Sequence, residues 1–353
     1  MMQSQPKGSH MNQLSLFDSP AVVTTDSEVL ISEIRAFDKF GRATGEECVD
    51  GIPYLINEFW TSGQRKSHSI HEVSYRACFK AQLPEFFIER LTKPGDVVYD
   101  PFMGRGTTPI QAAIMKRRAV GNDINPLSTL LTRPRLRPVT TGEVAVALRE
   151  VDWGAGEITR EDLLVFYHPS TLKKLEALKL WLNDRAPLDS ADPERIADWI
   201  RMIAINRLSG HSSGFFSGRS MPPNQAVSVR AQEKINAKLG VAPPERDIPY
   251  IINKKTRSLL RNGCLPKDEG HGLFVGAAWQ TPNLPNGSVD LVVTSPPFLD
   301  IVQYAADNWL RCWFAGIEPE SVDMAIHRTE GDWMSMVHET LREQARVVRR
   351  GGY

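Results

Sequence analysis

The stretch Asp100-Pro101-Phe102-Met103-Gly104-Arg105-Gly106-Thr107-Thr108 decides the fold of this chain. Residues 96–100 before it have the apolar character of a short buried strand, and apolar residues at helical spacing follow it as far as residue 116. Two glycines between a strand and a helix allow a sharp turn and a close approach of a ligand to the main chain. The helix N-terminus adds unpaired N–H groups that suit a carboxylate. A plain tight turn would use the same glycines, so this spacing alone leaves both interpretations open.

An acidic residue follows at the end of the next predicted strand. Asp123 ends the predicted strand 119–123, about where a ribose-hydroxyl acceptor lies in nucleotide-binding sheets. The pattern differs from the dinucleotide fingerprint, because Pro109 stands where the third glycine belongs. These residues favour a site for a ribose-bearing ligand at this edge of the sheet.

A second stretch, Thr294-Ser295-Pro296-Pro297-Phe298, follows the predicted strand 290–294. Open α/β sheets bind ligands at the edge where such a strand ends. Two prolines fix the backbone and remove two donors, which leaves carbonyl groups free to accept. A hydroxyl, a fixed carbonyl and an aromatic face could hold a planar ring that carries an amine. An ordinary Pro-Pro turn at the end of a strand is the alternative.

Together the two stretches resemble the AdoMet-dependent amino-DNA methyltransferases, which methylate cytosine N4 or adenine N6. Residues 100–108 match the family's motif D-P-F-x-G-x-G-T-T, and residues 295–298 match its loop [SDN]-P-P-[FYW]. Residues 74–80, followed by Leu83-Pro84, resemble the segment that helps to wall the methionine pocket. The resemblance covers about 70–135 and 272–353. It implies an α/β fold with a Rossmann-like, mostly parallel sheet and helices on both faces.

The resemblance also implies the site residues. The eight histidines show no metal-ligand spacing, so we expect no metal site. The catalytic set is Ser295, Pro296, Pro297 and Phe298. The set expected to bind the cofactor AdoMet is Phe79, Asp100, Pro101, Phe102, Gly104, Gly106, Thr107, Thr108 and Asp123. The Ser295 hydroxyl and the Pro296 carbonyl would accept hydrogen bonds from the target amine, and Phe298 would stack on the base. Serine at the first loop position favours cytosine N4, with adenine N6 as the alternative.

Two departures from the family pattern support a different interpretation. Residues 276–278 read Gly-Ala-Ala where members often have Gly-Asp-Ala. The sequence stops at Tyr353, after a helix that leads to the fifth strand in the family, so the C-terminal strands are expected to be missing. A catalytically inactive module that binds AdoMet and DNA is therefore the second interpretation.

The charge of the chain is zero overall but unevenly distributed. Residues 201–261 contain eleven arginines and lysines against three acids. This stretch belongs to a mainly helical insertion, 150–262, which we interpret as a target-recognition region within a catalytic domain formed by 29–149 and 263–353. Candidates for phosphate contacts with double-stranded DNA are Arg219, Arg230, Lys254, Lys255 and Arg257. Solvated helix faces would also carry such charges. The segment 214–217 with its two phenylalanines could be a wedge that contacts bases, or the core of a helical subdomain.

Composition limits the class of protein. The 353 residues are 41% hydrophobic and 24% charged, which excludes a disordered or fibrous chain. No apolar run reaches the roughly 18–20 residues of a membrane span, and the N-terminus has no signal sequence, so we expect a cytoplasmic, nucleoid-associated bacterial protein without a membrane partner.

The first 28 residues are predicted to be a flexible tail. Within it, Gln13-Leu14-Ser15-Leu16-Phe17 resembles the Q-L-x-L-F peptide that docks on the bacterial sliding clamp. A tail without a partner is the alternative. A cognate restriction endonuclease is a further candidate partner.

Overall fold

The structure, a computed structural model, describes residues 26–60, 67–76, 78–220, 226–265, 270–297, 304–322 and 329–353. Phe298 and the segment Gln13–Phe17 lie outside the described residues. The chain divides into two compact units, Met1–Thr61 and Ser62–Tyr353. The helices are α1 (Asp26–Arg35), α2 (Gln82–Leu91), α3 (Thr107–Ile114), α4 (Pro126–Leu136), α5 (Thr141–Ala147), α6 (Pro169–Arg185), α7 (Arg195–Arg207), α8 (Val229–Leu239), α9 (Ile248–Leu259), α10 (Tyr304–Ala315) and α11 (Glu330–Val347). The strands are β1 (Gly45–Val49), β2 (Ile52–Ile56), β3 (Val97–Asp100), β4 (Arg118–Asp123), β5 (Gly272–Val275) and β6 (Leu291–Val292).

The first unit contains α1 and an antiparallel hairpin of β1 and β2. The hairpin turns at Asp50-Gly51, where both residues have positive φ, as a two-residue Asp-Gly turn requires. Helix α1 begins at Asp26, so its first three residues lie within the segment 1–28 that the sequence predicts to be a tail. The physical reason is the acidic start of the helix, Asp26-Ser27-Glu28, whose negative charge suits a helix N-terminus.

The second unit is built on a parallel sheet with the strand order β5-β4-β3-β6. Strands β3 and β6 are neighbours, with Val98 opposite Leu291 and Tyr99 opposite Val292. The two stretches that carry the sequence motifs therefore leave adjacent strands at the same edge. The predicted α/β fold with a mostly parallel, Rossmann-like sheet is confirmed.

Side chains of the sheet alternate between two separate cores. Val98 and Ala119 belong to the large core, with apolar residues of α3 and α4. Tyr99 and Val120 belong to a smaller one on the opposite side, with Val347 from α11. Helices thus cover both faces of the sheet, as the period-two alternation of buried strands requires.

Helices α5 to α9 form the helical part of the second unit. Helix α7 is buried on nearly all sides, and Trp199 on it donates from Nε1 to Thr256 Oγ1 of α9 at 3.1 Å. Leu172, Leu175, Leu178 and Leu182 of α6 are buried, as their helical spacing predicts. The N-cap of α6 is His168, and Pro169 occupies the first position of the helix.

The phenylalanine pair in the loop after α7 is part of the core. Phe216 is fully buried, Phe215 is 6% exposed, and the Phe215 ring fills the space where a side chain at Gly210 would lie. The wedge interpretation of residues 214–217 is therefore wrong. Among the described residues, no helix combines the length and apolar character needed to cross a bilayer.

A buried ion pair joins the helical part to the sheet. Arg133 of α4 donates from Nε and Nη2 to the two carboxylate oxygens of Asp198 in α7, at 2.7 and 2.8 Å. The Asp198 side chain is fully buried, whereas the Arg133 side chain is 19% exposed. Planar two-point pairs of this kind fix the orientation of both side chains.

We predict that Asp198→Ala lowers the free energy of unfolding by about 3 kcal/mol, because it leaves Arg133 without its buried partner. Chemical denaturation measures this loss. The matched control is Asp192→Ala, whose carboxylate pairs with Arg137 at a similar distance but is 88% exposed. That variant should change stability by no more than about 1 kcal/mol. Equal losses in the two variants would contradict the role assigned to the buried pair.

Candidate active site

The glycine turn between β3 and α3 has a backbone conformation that only glycine adopts readily. Gly104 has φ +50° and Gly106 has φ +78°. A Cβ at Gly106 would lie 2.3 Å from Thr132 Oγ1, so a side chain has neither a favourable backbone nor space there. Gly106 is also the N-cap of α3, and no side chain caps the helix. The first turn of α3 is therefore suited to an anionic or polar ligand.

Two hydrogen bonds connect the glycine turn to the second motif. Thr294 Oγ1 donates to Asp100 Oδ1 at 2.6 Å, and Thr108 Oγ1 donates to the Val293 carbonyl at 3.0 Å. Both bonds join residues that lie more than 180 positions apart in sequence. The end of β3, the start of α3 and the residues after β6 therefore form one rigid edge.

Asp100 is the buried acid of this edge. Its Oδ1 accepts from the Phe102 N–H at 3.1 Å as well as from Thr294, whereas Oδ2 is buried and has no hydrogen-bond partner among the described residues. Burial raises the pKa of Asp100 to about 7, and the bonds from Thr294 and Phe102 act in the opposite direction. The carboxyl therefore titrates near neutral pH instead of being fully ionised.

Asp123 supports the glycine turn from β4. Its Oδ2 accepts from the Gly104 N–H at 2.7 Å, and its Oδ1 accepts from the Asn125 N–H at 2.9 Å. The side chain is only half-buried, so the lone pairs that these amides do not use remain open to a hydroxyl group.

The second motif is held by α11. Trp333 donates from Nε1 to the Pro297 carbonyl at 2.8 Å. Ser295 and Pro296 are exposed, and Pro297 is half-buried. A cavity of about 360 Å³ is lined by Pro101 and Phe102 of the first motif, by Thr294 and Pro296 of the second, and by residues of α11. The two motifs therefore border one cavity.

The segment before β3 packs on the glycine turn. The Tyr75 ring lies 3.7 Å from where a Cβ at Gly104 would be, and its hydroxyl accepts from Asn125 Nδ2 at 3.3 Å. Arg105 fixes this segment by donating from Nη1 to the Val73 carbonyl at 2.7 Å. Phe79 is half-buried just before α2.

Sequence reasoning missed three residues of the site. Thr294 and Trp333 fix the second motif, and Arg105 fixes the wall before β3. Only Thr294 had a usable signal, since its hydroxyl directly precedes Ser295 at the end of a strand. The partner of Trp333 is 36 residues away, and that of Arg105 is 32 residues away, with no periodicity to connect them.

The candidate phosphate ligands lie on the loop before α8, on α8 and on α9. Arg219, Arg230, Lys254 and Arg257 are exposed, as a phosphate contact needs. Lys255 differs from them: its side chain is 11% exposed, and its Nζ lies 3.7 Å from a carboxylate oxygen of Glu72.

Comparison with known proteins agrees with this arrangement. The family model for DNA methylases of the N6/N4 type matches residues 46–128. The chain is 22% identical to the Type II methyltransferase M.BsoBI of Geobacillus stearothermophilus over 295 residues, which are 73% of this chain and 55% of that protein. It is 40% identical to the Type II methyltransferase M.MjaII of Methanocaldococcus jannaschii over 70 residues, 20% of this chain and 13% of that protein. It is 27% identical to the Type II methyltransferase M.MvaI of Kocuria varians over 132 residues, which are 35% of this chain and 28% of that protein.

The chain is similar to the amino-DNA methyltransferases, and the match to the family model is confined to residues 46–128. Among these methyltransferases, the chain spans about half the length of the first relative and less of the other two. No solved structure matches the chain at a comparable level. The family model ends at residue 128, so it includes the glycine turn and Asp123 but not the Ser-Pro-Pro loop.

The raised pKa of Asp100 predicts a pH dependence of this protein's stability. The pKa is about 7 in the folded protein and 3.8 for an ordinary aspartate. Between these values the folded state keeps a proton that the unfolded state has released, so the contribution of Asp100 to stability is present below about pH 4 and is lost as pH rises towards 7.

We predict that Asp100→Asn flattens this decline, because asparagine keeps the Oδ1 acceptor but does not ionise. The change in slope is up to about 1.4 kcal/mol per pH unit for one proton. Chemical denaturation at several pH values between 4 and 8 measures it. Asp189→Asn, on the surface, is the control and should leave the slope unchanged. A wild-type slope in Asp100→Asn would contradict a carboxyl that stays protonated to neutral pH.

Proposed function

We propose that this protein transfers a methyl group from AdoMet to an exocyclic base amine of double-stranded DNA, with cytosine N4 as the target. The observation that carries the proposal is the connection between the two motifs. Asp100 of the glycine turn accepts a hydrogen bond from Thr294, the residue before Ser295, and both motifs line one cavity. A donor on one side and an acceptor base on the other would meet at this edge of the sheet.

The residues of the first motif fit AdoMet. Gly104 has a positive φ and is only partly buried, the start of α3 has no side-chain cap, and Asp123 is partly exposed where a ribose hydroxyl would donate. Pro101, Phe102, Thr107 and Thr108 border the same turn, and Phe79 lies in the segment that packs against it. When bound, AdoMet supplies an electrophilic methyl group on a sulfonium centre.

The second motif offers acceptors for an amine. The Ser295 hydroxyl is exposed, and the Pro296 carbonyl belongs to a residue without an N–H. The neighbouring Pro297 carbonyl already accepts from Trp333, whereas the Pro296 carbonyl accepts from none of the described residues. Phe298 would stack on the base.

These acceptors explain how a weak nucleophile could react. The lone pair of an aromatic amine is delocalised into the ring. Hydrogen bonds from its two hydrogens to Ser295 and Pro296 favour a pyramidal nitrogen with a localised lone pair. The rate would then come from alignment and preorganised polar groups rather than from a strong base. The base must leave the stacked duplex to reach the loop.

The remaining assignments follow from the sequence. Serine at position 295 favours cytosine N4 over adenine N6. The basic residues Arg219, Arg230, Lys254, Lys255 and Arg257 of the insertion 150–262 would contact phosphates, which makes it the target-recognition region. Docking of Gln13–Phe17 on a sliding clamp and pairing with a restriction endonuclease stay predictions.

The decisive experiment incubates duplex DNA with labelled AdoMet and digests the product to nucleosides. N4-methylcytosine supports the proposal, N6-methyladenine moves the target to adenine, and tight DNA binding without label supports the inactive module.

We predict that Ser295→Ala lowers kcat roughly a hundredfold or more while the Kd for AdoMet stays unchanged, because the hydroxyl contacts only the amine. Single-turnover methylation and cofactor titration give the two values. Ser288→Ala is the matched control, since that hydroxyl bonds the Pro285 carbonyl in the turn before β6. Equal losses of turnover and cofactor affinity in Ser295→Ala would contradict the assigned role.

A further inference from the structure

A second cavity, of about 490 Å³, lies beside the glycine turn and is lined by cationic side chains. Arg105 comes from the turn itself, Arg207 from the end of α7, and Lys255 from α9. Tyr75, which packs on Gly104, forms part of its wall. The cavity therefore joins the glycine turn to the helical insertion. We call it the cationic cavity.

Positive charge in the cationic cavity exceeds negative charge. Glu72 is the acid of its lining, and it is shared between Arg261 at 2.9 Å and Lys255 at 3.7 Å. Within the part of the chain that the structure describes, Arg105 and Arg207 pair with no carboxylate. Burial and the nearby Arg311 lower the pKa of Arg207 to about 10, and burial and Arg207 lower the pKa of Lys255 to about 8. Arg207 has no carboxylate partner among the described residues, and Lys255 shares the Glu72 carboxylate with Arg261.

Arg105 and Arg207 are held in place by hydrogen bonds, and each has a further N–H group that can donate. Arg207 donates from Nε and Nη2 to the carbonyl and side-chain oxygens of Asn206, and its Cζ lies 4.2 Å from the centroid of the Phe215 ring. Arg105 uses Nη1 for the Val73 carbonyl and Nε for Thr107 Oγ1. Arg207 Nη1 and Arg105 Nη2 have no hydrogen-bond partner among the described residues. Fixed guanidinium groups with free nitrogens are suited to phosphate oxygens.

We propose that the cationic cavity binds a backbone phosphate of the DNA substrate, beside the nucleotide whose base enters the active site. This inference rests on the proposed function. The lining of the cavity comes from the glycine turn, from the segment that packs on it and from helices α7 and α9 of the insertion, which the proposed function assigns to the DNA substrate.

The chemistry of the cavity favours a phosphodiester over the carboxylate of the cofactor. The amino acid part of AdoMet carries an ammonium group beside its carboxylate, and three cations would repel that group. A phosphodiester carries a full negative charge without a positive neighbour, and its binding also releases counterions.

The test is Arg207→Gln, with the affinity for a short duplex measured at several salt concentrations. We expect the slope of log K against log salt to become less steep by about one, because one phosphate contact is lost. Near 0.1 M salt this corresponds to roughly tenfold weaker binding. The Kd for AdoMet should not change. The salt slope and the Kd for AdoMet are also measured for Lys255→Gln, which replaces Arg207→Gln in the test if that variant does not fold.

The matched control is Arg118→Gln, which removes the same charge from an exposed residue at the amino end of β4, the opposite edge of the sheet. It should leave the salt slope unchanged. Wild-type slopes in Arg207→Gln and Lys255→Gln would overturn the inference. Weaker AdoMet binding with an unchanged slope would assign the cavity to the cofactor carboxylate.

A third arm uses inorganic phosphate, with the Tm as its readout. If phosphate raises the Tm of the wild type but not of Arg207→Gln, while the DNA slope is unchanged, the cavity binds free phosphate and the inference is wrong.

The nucleoside assay separates the two proposals. A reduced slope in a protein that methylates nothing supports the phosphate site and contradicts the proposed function. If the protein methylates DNA but the variants have wild-type slopes, the proposed function is supported and the phosphate site is contradicted.

Discussion

The parallel pairing of β3 with β6 is the constraint on which the rest of the structure depends. It joins residues that are 193 to 194 positions apart, and the bond from Thr294 to Asp100 closes the contact at the carboxyl ends of both strands. The chain between β3 and β6 forms β4, leaves the sheet, and returns to it at β5. The helical insertion has its own core around α7, and the buried pair of Arg133 and Asp198 fixes it to α4. The insertion thus forms part of the same unit as the sheet.

The same contact explains the unusual electrostatics of the edge. A carboxyl that satisfies only one of its two oxygens inside the protein is costly to ionise, which is why Asp100 has its pKa near neutrality. The cationic cavity presents the opposite case, since Arg105 and Arg207 lie among other cations and form no ion pair with a carboxylate of the described residues. Groups of both signs with shifted pKa values near one glycine turn are typical of functional sites, where ligand binding takes precedence over stability.

The fold was predictable from the sequence wherever the signal is local. The glycine turn, the strands at residues 97–100 and 118–123 and the leucine pattern of α6 follow from short-range spacing, and the structure has them. The Ser-Pro-Pro loop was recognisable because its residue types are unusual. The order of the motifs along the chain did not by itself put them side by side. That required β6 to pair with β3 rather than with β4.

What the sequence could not supply depends on long-range packing. Phe215 and Phe216 look the same in sequence whether they form a wedge or a core, and only the space at Gly210 and the overlying Arg207 decide. Lys255 looks like its exposed neighbour Lys254 until Glu72, from a distant segment, is found beside it. Trp333 shows no sign in the sequence that it fixes Pro297.

The central claim is that the glycine turn and the Ser-Pro-Pro loop form one cleft, and its most direct test is an NMR titration with S-adenosylhomocysteine. The amide signals of Gly104, Gly106 and Ser295 would be followed in the labelled protein. Our account predicts that all three shift together with a single Kd, because the ligand bound at the turn lies against the loop. Shifts at Gly104 and Gly106 with an unchanged Ser295 signal would contradict it.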